Sequence, residues 1–132
     1  MKIRLEHGLA YLEVILTFRG RSLSIRDTIL DTGSASTIFS ADRLLEIGIV
    51  PEPENALHRL RGVGGTEFAF TKRLDFLAVE DRKVPEFAIE VGAMDYGFPA
   101  DGILGLDYLL RAGALIDLQS LELRLPAGPW AA

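Results

Sequence analysis

Residues 28–40 read TILDTGSASTIFS, and the reading of Asp31 within them decides what the chain must build. Ile29 and Leu30 have the character of a buried strand's last residues. Asp31 then stands at or just past the strand end, where an unpaired buried charge is costly. Gly33, two residues on, permits a sharp backbone turn. Two readings fit the triplet alone: a strand closed by an Asp/Gly turn, or a carboxylate held on a tight loop for chemistry.

Composition narrows the choice. At 132 residues the simplest organisation is one domain over 1–132, with the tail 126–132 frayed. Hydrophobic residues make up 48% and charged ones 25%, a globular balance. Fourteen basic against nineteen acidic side chains give a net charge of -5, and no Lys/Arg cluster offsets it locally. Nucleic acid is therefore not an expected partner. The absence of cysteine excludes disulfides, thiol catalysis and cysteine-bound zinc. Glu13 interrupts the apolar run near the start, and no run reaches the length of a membrane span. The expectation is a soluble, cytoplasmic protein with no membrane partner.

Outward from the opening stretch, Leu9 to Phe18 is β-rich, 19–22 is a turn, and 23–30 is a returning strand that delivers Asp31. Ser40 is placed to cap a short helix through Ala41, Leu44, Leu45 and Ile47, with Gly48 as its stop. PEPEN at 51–55 is a loop. Two arms then flank Gly62-Val63-Gly64-Gly65-Thr66, a hairpin tip whose glycines let backbone amides approach a ligand. Strands are expected over 72–79 and 84–91, separated by Glu80-Asp81-Arg82-Lys83. A loop with Gly92, Gly97 and Pro99 leads to DGILGLDYLLRAG, an apolar pair and a short helix ending near Gly113. ALIDLQSLELRL closes as two strands around Gln119-Ser120. The fold class is mostly β with one or two short helices.

Three segments occur in a telling order: ILDTGSASTIFS, RGVGG and DGILGLDYLL. The chain resembles the retropepsin-like aspartic proteases, the single-domain relatives of pepsin, over about residues 9–125. That resemblance implies a closed, barrel-like fold with a flap hairpin. It also implies an aspartic endopeptidase in which two carboxylates share one proton and activate a water. Such chemistry needs two Asp-Thr-Gly loops, and the chain has one, since Asp27-Thr28-Ile29 lacks the glycine. A homodimer acting on peptide or protein substrates follows, each copy supplying Asp31.

The same resemblance gives Thr32 a hydrogen bond across the dimer axis and Gly33 a close approach to substrate. It makes Ile103-Leu104-Gly105 the support behind the catalytic loop and residues 62–66 the flap. Ser34, next to the triplet, is expected to donate to the carboxylate and shift the activity optimum toward acid. In viral relatives the chain ends interleave in an interface sheet. Met1, Ile3 and Leu5, or Leu121, Leu123 and Leu125, could do so here.

Other chemistries fit less well. Ile103-Leu104-Gly105 also reads as core plus a helix-entry glycine, and the glycine run as a plain hairpin tip. No Gly-Lys-Ser/Thr follows the glycines, so a phosphate cradle is not expected. Ser34 and Ser36 lack a G-x-S-x-G elbow. His7 and His58 are far apart without metal-ligand spacing, so no metal and no cofactor are expected. Asp107 reads as a helix-start charge and Asp117 as a partly exposed strand residue. The alternative function is a non-proteolytic binding or dimerisation module on the same fold.

Overall fold

The computed structural model describes residues 1–62 and 65–126, with side chains described outside 58–67. Two long strands form its spine. A short strand β1 (Arg4–Glu6) leads into β2 (Leu9–Phe18), and β3 (Arg21–Leu30) returns antiparallel to it. Asp75 stabilises the turn between them, accepting the amides of Arg19 and Gly20 at 3.0 Å each. Along β2 Leu12, Val14, Leu16 and Phe18 are buried while Glu13 is exposed, the period of two expected of a strand with one face on the core. Tyr11, one residue out of phase, joins a second, smaller cluster with Ile29 and Ala100.

The remaining strands extend this spine on both sides. They are β4 (Ile38–Ser40), β5 (Leu57–Gly62), β6 (Gly65–Arg73), β7 (Phe76–Val79), β8 (Arg82–Pro85), β9 (Ala88–Gly92) and β10 (Gly102–Leu104). The order β5-β6-β9-β4-β10-β3-β2-β7-β8 curls into a half-barrel, with β1 beside β2. The mostly β, barrel-like architecture expected from the sequence is the one found. Between β4 and β5 lie α1 (Ala41–Leu44) and a 3-10 turn (Leu45–Ile47) that stops at Gly48 with φ 79. Ser40 does not cap this helix through its side chain; it ends β4, and its amide donates to Asp101 O at 2.8 Å.

Two expected strands are divided. Residues 72–79 are the end of β6 and the whole of β7, which pair with different neighbours, β9 and β2. Leu74 sits at the switch almost fully buried, so apolar character runs unbroken through the change of partner. Residues 84–91 divide at Glu86, whose φ of 50 breaks the strand. Lys72 is only 3% exposed, and Glu52 takes its ammonium at 2.6 Å. That contact, with Arg19 second, holds the Glu52 carboxyl below its usual range. The ion pair's stabilisation is therefore present above the ordinary carboxylate pKa and is lost as pH falls through the lowered one.

The second helix, α2 (Leu106–Ala112), packs Tyr108, Leu109 and Ala112 into the core. Tyr108 Oη donates to Arg82 O at 2.8 Å and accepts Val79 N–H at 3.1 Å. Burial pushes its phenol up to about 12. Tyr108→Phe removes both of these hydrogen bonds from a buried position. It should cost about 2 kcal/mol of unfolding free energy in urea titration, against near-zero change if the ring alone matters.

A hairpin of β11 (Leu115–Asp117) and β12 (Glu122–Arg124) closes the described chain. The N-terminal residues pair with β12 of their own chain. Ile3 N–H donates to Leu121 O at 2.9 Å, Leu123 N–H to Met1 O at 2.8 Å, and Lys2 bridges Glu122. Ile3 and Leu123 are accordingly buried in the core, which differs from the expectation that these residues interleave with another chain. Of the tail expected to fray, only Pro126 lies among the described residues.

Candidate active site

The position of Asp31 follows from where β10 sits. That strand lies between β3, parallel to it with Leu104 beside Leu30, and β4, antiparallel with Ile103 beside Ile38. The segment joining β3 to β4, residues 31–37, must therefore arch over the end of β10. Asp31 begins the arch, and its amide donates to Leu104 O at 3.1 Å. The expected support is thus in contact with the loop it was expected to hold: Leu104 is fully buried, Gly105 is buried and Ile103 is half-buried.

Within the arch, Asp31 Oδ1 accepts Gly33 N–H at 2.9 Å and Asp31 O accepts Ser34 N–H at 3.2 Å. Gly33 is not in a left-handed conformation. What it provides is room, because a Cβ there would lie 3.2 Å from Asp31 Oδ1. Asp31 is half-buried, and Thr32 and Gly33 stand exposed at the crest of the loop. Ser34 does not donate to the carboxylate as expected. Its hydroxyl donates to Ser36 O at 2.7 Å, so its one proton stays inside the loop.

A second layer of bonds fixes the far limb of the arch. Leu106 N–H donates to Ser34 O at 2.7 Å and Gly105 N–H to Thr37 Oγ1 at 3.0 Å. Thr37 Oγ1 in turn donates to Asp107 Oδ1 at 2.7 Å, and Asp107 Oδ2 accepts Thr37 N–H at 3.2 Å. Asp107 is indeed a first-turn acid of α2, also accepting Tyr108 N–H at 2.8 Å. Its larger role is to tie that helix to the Asp31 loop across seventy positions. Thr37, fully buried, carries no sequence signal of this role.

The glycine-rich segment is a β-hairpin, with Gly62 paired to Gly65 and Arg61 to Thr66. Val63 and Gly64, the expected tip, lie outside the described residues. Among the described residues no group of three or more His, Asp or Glu could hold a metal ion, and no helix is long and apolar enough to cross a membrane. Asp117 ends β11, accepts the amides of Gln119 and Ser120 and pairs with Arg124 at 2.9 Å. The Ser120 amide, first among these, holds its carboxyl below the usual range.

Residues 14–108 match the family model described as aspartyl protease. The chain belongs to the aspartyl protease family. Solved structures give the fold. A retropepsin-like aspartic protease from Rickettsia conorii superposes with a TM-score of 0.66 at 17% identity, covering 92% of this chain and 93% of that one. The retroviral protease-like domain of Ddi1 from Leishmania major gives 0.59 at 22% identity, covering 89% and 87%. The EIAV protease complexed with the inhibitor HBY-793 gives 0.62 at 18% identity, covering 87% and 98%. This aspartyl protease family member therefore has the retropepsin-like fold. No curated protein sequence matches it.

Proposed function

We propose that the chain is an aspartic endopeptidase active as a homodimer, with a water activated between two Asp31 carboxylates. The observation that carries this reading is the single Asp31-Thr32-Gly33 loop, half-open to solvent and braced from behind by Leu104 and Gly105. Like charges a few ångströms apart do not both ionise readily, so the pair holds one proton between them. The ionised carboxylate takes a proton from the water as it attacks the scissile carbonyl carbon. The protonated one donates to the carbonyl oxygen, giving a tetrahedral intermediate. Collapse of that intermediate releases the amine, which leaves with a proton from the pair.

Thr32 bonds across the axis and locks the two loops. A peptide lies extended, its backbone pairing as an added strand. The hairpin of β5 and β6 closes over it as a flap and excludes water. Ser34 tunes nothing directly in this account. Ser34→Ala should leave the acid limb of the pH–rate profile in place, because the hydroxyl proton is committed to Ser36 O; an alkaline shift of that limb would show that Ser34 bonds the carboxylate during turnover.

The test is digestion of a diverse peptide mixture between about pH 4 and pH 8 at several protein concentrations, followed by mass spectrometry. Cuts that grow faster than linearly with enzyme concentration, and are missing with Asp31→Asn, support the proposal. No cuts from a chain that dimerises would favour a binding module instead.

A further inference from the structure

Asp31 leaves the sheet on one of its two faces, and that face carries side chains that the chemistry proposed above does not use. Paired residues share a face, so strand register traces the row: Tyr11 opposite Ile29, Ile29 beside Ile103, and Ile103 opposite Ile38. Asp31, two positions past Ile29, continues on the same side. The other face is the main core, with Leu12, Phe39 and Leu104. Ile38 and Ile103 are half-buried, so the row is the floor of a groove at Asp31 rather than a closed core.

The segment between β9 and β10, residues 93–101, lies over one end of that floor. Met94 and Ala100 pack with Tyr11, Ile29 and Ile103 in one cluster. Tyr96 and Phe98 stack on each other, ring centroids 5.9 Å apart, and stand 45% and 37% exposed. The segment thus sets two residues on the floor and two aromatic rings in the open, the make-up of a groove wall. Its far end is fixed by backbone: Asp101 N–H donates to Asp27 O at 2.9 Å, and Asp101 O accepts Ser40 N–H at 2.8 Å. Two residues earlier a side chain takes over, as Tyr11 Oη donates to Pro99 O at 2.7 Å. The tyrosine has no freedom to follow the loop. It is 1% exposed, its ring lies under the Arg4 guanidinium at 4.9 Å, and Arg4 is tied to Asp27 at 2.6 Å.

From this geometry we infer that Tyr11 is a positioning residue for peptide recognition, its hydroxyl holding residues 93–100 as a wall at a fixed distance from the groove floor beside Asp31. The inference rests on the protease reading above and deepens it. A hydroxyl buried this deeply is costly unless bonded, and its partner is a carbonyl of the wall rather than of β2 or β3. The bond spans 88 positions, joining the strand that pairs with the Asp31 strand to the loop that bears Tyr96 and Phe98. Phenylalanine at 11 keeps the ring in its cluster and removes only the tether, so wall position and core packing are separable. Tyr11 touches neither the water nor the scissile bond in this account. Its loss therefore acts on binding and leaves the chemistry intact.

The test uses two octapeptides that differ only in carrying phenylalanine or alanine beside the cut bond. Tyr11→Phe should raise KM for the phenylalanine peptide about three- to tenfold and leave kcat within about twofold. Discrimination between the two peptides should shrink with it, because a wall free to move no longer fixes the width of the groove. Phe98→Ala, which removes a wall side chain, should shrink the same discrimination. A tyrosine with a merely structural role would lower the melting midpoint and kcat together and keep the ratio between the peptides. As a measurement free of any change at Tyr11, hydrogen exchange at 93–100 in Asp31→Asn protein should slow when the phenylalanine peptide is added.

Wild-type KM and peptide ratio in Tyr11→Phe, or exchange at 93–100 that ignores the peptide, overturns the inference and leaves the protease reading standing. A wild type that cuts nothing, beside an Asp31→Asn chain in which peptide protects 93–100 and Tyr11→Phe weakens that protection, keeps the wall and removes the protease. Neither cleavage nor protection overturns both.

Discussion

Asp31→Asn is expected to lower peptide cleavage by about 10²- to 10⁴-fold or more while leaving the fold and the pairing of chains intact. In the proposed homodimer this substitution is doubly severe, because both carboxylates would become amides at once. An amide neither takes a proton from water nor donates one as an acid. The loop itself should survive, since an asparagine Oδ1 can accept the Gly33 amide that Asp31 Oδ1 accepts at 2.9 Å. Unfolding midpoints and sedimentation should therefore match wild type. Residual cleavage close to wild type would remove Asp31 from the chemistry.

Gly105→Ala is expected to reduce stability and cleavage together, by about 3 kcal/mol or more of unfolding free energy. The conformation at Gly105 is extended, φ -92 and ψ -179, and open to any residue, so the obstacle is space. A Cβ there would stand 2.3 Å from Ser36 O, 2.6 Å from Ser36 C and 2.9 Å from Ser34 O. All three are backbone atoms, held by the bonds from Leu106 and Gly105 to the same arch. They cannot rotate away as a side chain would, and the segment that moves is the one that begins at Asp31. A variant with wild-type denaturant midpoint and turnover would show that the arch is looser than its contacts imply.

What the sequence showed and what it hid divide along contact distance. Ile29-Leu30-Asp31 was readable because a strand end, a charge and a glycine turn are neighbours in the chain. Gly48 as a helix stop and the hairpin over 57–73 are local in the same way. The break at Leu74 was not readable, because a residue that is 1% exposed looks alike in one continuous strand and in two. Thr37 and Asp107 lie seventy positions apart and meet only once β10 has slotted between β3 and β4. The Ser34 hydroxyl had two acceptors within plausible reach, and only the folded arch shows that Ser36 O takes it. Nothing local marks Lys72 as a buried residue; Glu52, brought in by the loop at 51–55, is what lets it be buried.

The central claim is that one working site takes Asp31 from two chains, and mixing the chains tests it most directly. Wild type at fixed concentration is titrated with Asp31→Asn protein and allowed to exchange subunits. If each site needs both carboxylates, mixed dimers are silent, and an equal amount of variant should reduce cleavage to about half, a large excess to near zero. Cleavage that stays constant across the titration would mean that a single chain carries out the reaction, and would contradict the account.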